Sequence, residues 1–186
     1  MKRIFDLVLS FVVLTILLTP MTLVCIAVKL SSKGSILYWS DRVGKRNKIF
    51  KMPKFRSMLI DTPDVPTHLL GNPDEYLSPI GNFLRRSSLD ELPQLFSIIK
   101  GDMSFVGPRP ALHNQEDLIA LRKEGGVDKL LPGITGWAQV NGRDNLSIAE
   151  KVVLDVQYLH KMSFLLDIKI LWMTFIKVIR RDGVSH

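Results

Sequence analysis

Leu7-Val8-Leu9-Ser10-Phe11-Val12-Val13-Leu14-Thr15-Ile16-Leu17-Leu18-Thr19-Pro20-Met21-Thr22-Leu23-Val24-Cys25-Ile26-Ala27-Val28 is the stretch on which the architecture of this chain turns. As a helix, about 22 residues reach roughly 33 Å, enough to cross the hydrocarbon core of a bilayer. Three readings compete. A cleaved signal peptide shares the basic start Lys2-Arg3. Asp6 spoils its charged region, however, no convincing small-residue cleavage site follows, and Val24 before Cys25 makes a poor lipoprotein signal. A straight spanning helix is the plainest reading. The third is a helix that enters the bilayer and returns on the same side. Pro20 removes one backbone hydrogen bond and crowds the preceding turn, so a kink is expected there. Thr19 and Thr22 stand ready to satisfy the freed carbonyls. Charge favours this third reading. Lys2 and Arg3 precede the run, and Lys29, Lys33, Arg42, Lys45, Arg46 and Lys48 crowd after it. The positive-inside tendency holds both ends in the cytoplasm, and only a kinked hairpin leaves both there. The expected division is a re-entrant membrane helix over 1–30 and a cytoplasmic domain with interfacial helices over 31–186.

The rest of the composition agrees. A chain of 186 residues is one domain long, and it combines 46% hydrophobic residues with a net charge of +7. The apolar residues concentrate at one end and the basic ones spread over the remainder. Such a surface attracts nucleic acid, anionic lipid or phosphorylated substrates. The lone Cys25 rules out an intramolecular disulfide.

Past the apolar run, Ser35–Tyr38 and Lys48–Phe55 read as short strands around a turn at Asp41-Arg42-Val43-Gly44. Residues 60–78 are loop-like, with Pro63, Pro66, Gly71 and Pro73. Helical patterns run from Pro79 to Arg86, from near Ser88 to Gly101, and from Leu112 to Lys123. Pro132 to Arg143 reads as turns and short strands. Two helices close the chain, over 147–161 and 164–180. The fold class is α/β, mostly helical with few short strands. In the last helix Phe164, Ile168, Leu171, Trp172, Phe175 and Ile179 share one face. That face either packs into the core or lies in the membrane surface, where Trp172 and the cations opposite would suit it.

Chemistry concentrates in Arg85-Arg86-Ser87-Ser88-Leu89-Asp90-Glu91-Leu92-Pro93. Ser88 and Glu91 fit a capping box, in which case the acids merely complement a helix dipole. A cap at Asp90 suits Pro93 better, and the sequence does not choose between them. On the functional reading, one carboxylate is a nucleophile or metal ligand beside phosphate-binding arginines at a helix start. Mg²⁺ would then neutralise a diphosphate and let the anion approach. Lys54-Phe55-Arg56 and Pro108-Arg109-Pro110 add cations in rigid settings. Pro132-Gly133-Ile134-Thr135-Gly136-Trp137-Ala138-Gln139-Val140-Asn141-Gly142-Arg143 is a loop suited to a nucleotide, or simply a set of tight turns.

With these stretches in hand, the chain resembles the small monotopic phosphoglycosyl transferases of the bacterial sugar transferase family. The matching residues are Arg42-x-Gly44, Lys54 to Met58, Arg85 to Phe96, Lys100 to Pro110, and Pro132 to Arg143, in the family's order. The resemblance implies a re-entrant helix broken at Thr19-Pro20, where Ser-Pro is commoner. Pro53 also departs, standing where an aromatic is usual, which bears on strand geometry near Lys54. The resemblance makes Asp90 the nucleophile on the β-phosphorus of a UDP-sugar, releasing UMP, and a ligand of Mg²⁺. Polyprenyl (undecaprenyl) phosphate then takes the sugar phosphate from the enzyme. Glu91 assists the metal or the acceptor. Lys54, Arg85 and Arg109, with Gln139 and Arg143 after them, contact phosphates. The implied place is the cytoplasmic face of a bacterial inner membrane, at the first membrane step of glycoconjugate assembly, with downstream glycosyltransferases as partners. An N-acetylated amino or deoxyamino sugar is the favoured cargo.

Other classes fit less well. Metal-dependent glycosyltransferases commonly carry Asp-x-Asp, and this chain has none; nor has it a phosphate-binding Walker loop or a histidine cluster. A nucleic-acid module leaves the apolar segment and the acidic pair unused. The alternative kept is a non-catalytic basic adaptor on the membrane surface.

Overall fold

A computed structural model describes residues 1–63, 72–142 and 145–180. The apolar run forms α1 (Lys2–Ser31), which continues through Pro20 without interruption. The break expected at Thr19-Pro20 is therefore absent as an interruption of the helix. A proline deletes one N–H, and the neighbouring bonds and packing carry the helix past it. Thr15 donates to the Phe11 carbonyl and Thr22 to that of Leu18, at 2.8 and 2.9 Å. The carbonyl one turn before Pro20 belongs to Ile16, so Thr22 does not serve it.

One face of α1 is buried near both ends, at Asp6 and Ser10 and again at Met21, Val24 and Val28. Its first turn is tied down by polar contacts. The Lys2 ammonium meets Asp167, the Arg3 guanidinium donates to the Ile98 and Ile99 carbonyls, and Asp6 accepts the Phe105 N–H at 3.2 Å. Its last turns pack by apolar contact, Met21, Val24 and Val28 joining Phe55 and Leu84. Both ends thus bear on the same body. The opposite face stays exposed and apolar at Ile4, Val8, Phe11, Ile16, Leu23 and Leu30.

β1 (Leu37–Val43) and β2 (Ile49–Phe55) form an antiparallel hairpin in which Tyr38 faces Lys54 and Val43 faces Ile49. Asp41-Arg42-Val43 belong to strand, so the expected turn moves to Gly44–Lys48. There Arg46 and Asn47 both take φ of 56°. β2 passes through Pro53, opposite Trp39, without a break. A two-stranded ribbon has only edges, where a missing N–H is tolerated, so Pro53 leaves the register at Lys54 intact.

A parallel pair, β3 (Ser104–Val106) and β4 (Gly133–Thr135), occupies the centre. Around it lie α2 (Gly81–Arg86), α3 (Gln94–Lys100), α4 (Glu116–Glu124), α5 (Trp137–Asn141), α6 (Ile148–Lys161) and α7 (Phe164–Arg180). α5 stands where the sequence reads as turns and short strands. α4 begins four residues later than expected, because Leu112 is engaged in a bridge to Arg42. A capping box opens α6, where Ser147 and Glu150 exchange both bonds. The core joins Phe50 and Met52 of the hairpin to Leu95, Ile98, Met103, Phe105, Val140, Tyr158 and Ile170.

α7 settles the orientation that its pattern left open. Asp167 and Ile170 are buried, and Thr174 bonds Thr135 at 2.6 Å. Leu165 (80% exposed), Trp172 (63%) and Phe175 (55%) face outward. Most of the apolar face is thus outside, and core packing does not account for it. Phe164 meets Phe5 edge to face at 5.2 Å, which joins the outer surfaces of α7 and α1.

Candidate active site

Asp90 and Glu91 lie neither in a capping box nor at a helix cap. Ser88 takes a left-handed φ of 56°, Leu89–Glu91 form a single 3-10 turn, and α3 starts only after Pro93. The positive φ at Ser88 swings the turn so that its two acids part company. Glu91 accepts from Lys54 Nζ at 2.8 Å and from Arg109 Nη2 at 3.1 Å, with only 15% of its side chain exposed. Asp90 turns inward and is 7% exposed. Burial raises its pKa from 3.8 to about 6, against the opposing pull of Lys54, Arg85 and Arg109 and with the help of the Glu91 charge. Desolvation outweighs three nearby cations, so this carboxyl sits in an unusually dry place for an acid.

Arg85 comes from α2 and reaches Ser57 Oγ at 3.3 Å and Met58 Sδ at 3.0 Å. Burial lowers its pKa, and the Asp90 charge opposes that shift. Arg86, next in sequence, is exposed. Helical rotation thus separates two arginines that the sequence presents as equals.

Arg109 is positioned by its own backbone. Asp6 holds the Phe105 N–H, and the Gly107 N–H donates to the Thr135 carbonyl at 2.9 Å. The Pro108 carbonyl accepts from Gly133 N–H, that of Arg109 from Arg122, that of Pro110 from Arg42, and that of Ala111 from Val43 N–H. Gly107 and Gly133 lie backbone to backbone; a Cβ on either would collide with the opposite strand.

The structure therefore brings together Asp90, Glu91, Lys54, Arg85 and Arg109. Gln139 lies on α5, its amide nitrogen and oxygen buried without a hydrogen-bond partner. Arg143 lies outside the described residues. No group of three or more His, Cys, Asp or Glu gathers as a metal cage among the described residues. Arg122, Asp155 and Tyr158 stand in none of the motifs read from the sequence, and Asp6 entered there only against a signal peptide. A signal was present. Asp155 and Asp167 are single acids on the inner faces of amphipathic helices, where an unpaired charge is too costly to persist.

A pH dependence of stability follows from Asp90. The folded protein keeps this proton up to about pH 6, whereas an ordinary carboxyl releases it near 3.8. The favourable contribution is complete below about pH 4 and is lost as pH rises through 6. Asp90→Asn does not titrate. Relative to wild type it should gain ~1–3 kcal/mol between about pH 4 and pH 7.5, read by denaturant melts in metal-free detergent. An equal difference at both pH values would show that Asp90 is already ionised and well solvated in the acid range.

The bacterial sugar transferase model matches residues 1–181. A sugar transferase of Bacillus subtilis, EpsL, is 40% identical over 187 residues, covering all of this chain and 91% of that protein. The undecaprenyl-phosphate glucose phosphotransferase of Komagataeibacter xylinus is 40% identical across 93% of this chain. The UDP-glucose:undecaprenyl-phosphate glucose-1-phosphate transferase of Escherichia coli is 40% identical across 95%. The chain spans only 35% and 40% of the length of these last two proteins. With the family's motifs converging on one buried carboxylate ringed by cations, the chain belongs to the bacterial sugar transferase family.

Proposed function

We propose that this protein transfers a sugar 1-phosphate from a UDP-sugar to undecaprenyl phosphate, releasing UMP, through a covalent phosphosugar on Asp90. The observation that carries this reading is the unequal acid pair. Glu91 is neutralised by Lys54 and Arg109, while Asp90 is buried and makes no ion pair of its own among the described residues. A dry carboxylate among cations suits attack on a phosphorus whose charges those cations hold.

In the first step an Asp90 oxygen forms a bond to the β-phosphorus, and the bond from that phosphorus to the bridging oxygen breaks. The electron pair leaves with UMP. In the second, an oxygen of the lipid phosphate attacks the same phosphorus and the acyl-phosphate bond breaks, restoring the Asp90 carboxylate. Lys54 and Arg109 orient phosphate oxygens and keep Glu91 from repelling them, and Arg85 supplies a third cation. Gln139, and Arg143 beyond it, are the candidates for the nucleotide side.

A buried carboxylate that makes no ion pair among the described residues fits a magnesium ion shared with a substrate diphosphate, and Asp90 would hold it. Bound there, Mg²⁺ supplies charge neutralisation of the diphosphate. The relatives are named for glucose and galactose, so those sugars belong in a donor screen beside the amino sugars. Downstream glycosyltransferases would consume the lipid product.

The proposed setting is monotopic, with α1 re-entering the cytoplasmic leaflet of the inner membrane. Contact of both ends of α1 with one body supports it, as do the outward apolar faces of α1 and α7. In intact cells of a Cys25→Ser strain, a cysteine on an N-terminal extension and one from Lys45→Cys should both escape an impermeant thiol reagent. Opposite labelling of the two would establish a spanning helix instead.

UDP-sugar without lipid should add one sugar phosphate to the intact mass, with a burst of UMP. Chelation should suppress both, and Asp90→Asn should abolish both. UMP appearing only when lipid is present, with no adduct, would mean direct transfer in a ternary complex. UMP release under no condition would leave the membrane adaptor as the better reading.

The two arginines provide an internal comparison. Arg85→Ala should lower turnover by about a hundredfold, as loss of a charge-stabilising donor does, while Arg86→Ala stays within about twofold. Equal, mild losses would make both arginines surface decoration.

A further inference from the structure

We propose that Arg122 and Asp155 form a positioning device that holds Arg109 in the active site. The inference rests on the phosphate-transfer reading above for its effect on rate, but not for its effect on structure. Arg122 lies on α4, is 12% exposed, and forks onto one oxygen of Asp155 on α6, with Nε at 3.0 Å and Nη2 at 2.7 Å. Asp155 is 1% exposed. The remaining nitrogen, Nη1, donates to the Arg109 carbonyl at 2.8 Å. The Arg109 side chain, in turn, donates to Glu91, the immediate neighbour of Asp90.

A buried ion pair is weak evidence for stability, because apolar residues of similar volume commonly do as well. Its third bond explains the expense. Pro108 and Pro110 flank Arg109 and carry no N–H, so this loop cannot be held by a continuous ladder. Its carbonyls must be held from outside. Gly133 holds the first and Arg42 the third, from the central strand pair and the hairpin. Arg122 holds the middle one, and so ties the loop to the helical layer of α4 and α6. Asp155 fixes the guanidinium plane, so that Nη1 points at the carbonyl and nowhere else. A loop that loses this bond lets Arg109 wander. Displacements of an ångström in such a group lower rate by up to about a hundredfold.

The test uses the full chain in detergent or nanodiscs. The double variant Arg122→Met with Asp155→Leu removes both charges and keeps the volume, so its melting temperature should stay near that of wild type. Hydrogen exchange in peptides covering 105–111 should nonetheless quicken, and kcat for UMP release should fall about ten- to a hundredfold. KM for the UDP-sugar should move less than kcat. Arg122→Lys, which keeps a charge for Asp155 but not the fork, gives the same reading if the double variant does not fold. Unchanged exchange in 105–111 overturns the proposal, whatever the rate does. So does quickened exchange with wild-type kcat. Absence of UMP release from the wild-type protein overturns the proposed reaction instead, and exchange alone then decides whether Arg122 holds the loop.

Discussion

Two prolines around one arginine set the problem that the rest of this molecule solves. Pro108-Arg109-Pro110 presents three carbonyls in succession and only one N–H between them. Buried carbonyls need partners, and here they come from the β1–β2 hairpin, from the β3–β4 pair and from the α4–α6 layer. α1 enters the same arrangement a few residues earlier, through Asp6 on the Phe105 N–H. A short loop has become the meeting point of every layer. The rigidity passes outward along the Arg109 side chain to Glu91, and Glu91 adjoins the buried Asp90.

The electrostatics follow from that rigidity. Held cations neutralise Glu91 without having to fold down over Asp90. Asp90 is therefore left dry, with its pKa raised to about 6 although Lys54, Arg85 and Arg109 all pull it down. Flexible lysines on a solvated face would have behaved differently, paying side-chain entropy for little attraction. The net charge of +7 is thus less informative than the placing of three cations, each on a different element: Lys54 on β2, Arg85 on α2, and Arg109 after β3.

Much of the site was legible because its parts are local in sequence. Asp90, Glu91, Arg85, Lys54 and Arg109 each sit in a short motif, and the closing helices α6 and α7 were visible as periodic patterns with a true capping signal at Ser147. Where the structure departs from the local patterns, tertiary contacts are the cause. Ser88-x-x-Glu91 satisfies a local capping rule, but tertiary pairing with Lys54 and Arg109 outcompetes a backbone N–H for the Glu91 carboxylate. The turn at Asp41–Gly44 failed likewise, because Val43 pairs outward with Ala111 and draws the strand further. Arg122 and Asp155 are 33 residues apart, and no local rule connects them. Which face of α7 turns inward was beyond the pattern as well. Its apolar stripe was visible, but which side meets the core depends on Lys2, at the far end of the chain, neutralising Asp167.

That last pairing bears on how a chain this apolar avoids burying the wrong face. The hydrophobic effect alone would turn Trp172, Phe175 and Leu165 inward, since α7 offers more apolar surface on that side. Instead the polar side is specified, by Asp167 taking both Lys2 and the Tyr158 hydroxyl, the latter at 2.6 Å. Burial and the adjoining acid push the Tyr158 pKa far up, so the hydroxyl remains a donor at any working pH. α1 repeats the device, with Lys2, Arg3 and Asp6 bonded inward and Ile4, Val8 and Phe11 left outward. A protein meant for water has no use for such an inversion, because exposed apolar faces of this size invite aggregation. A lipid surface removes the penalty on the outer faces, and the internal polar bonds then choose the orientation unopposed.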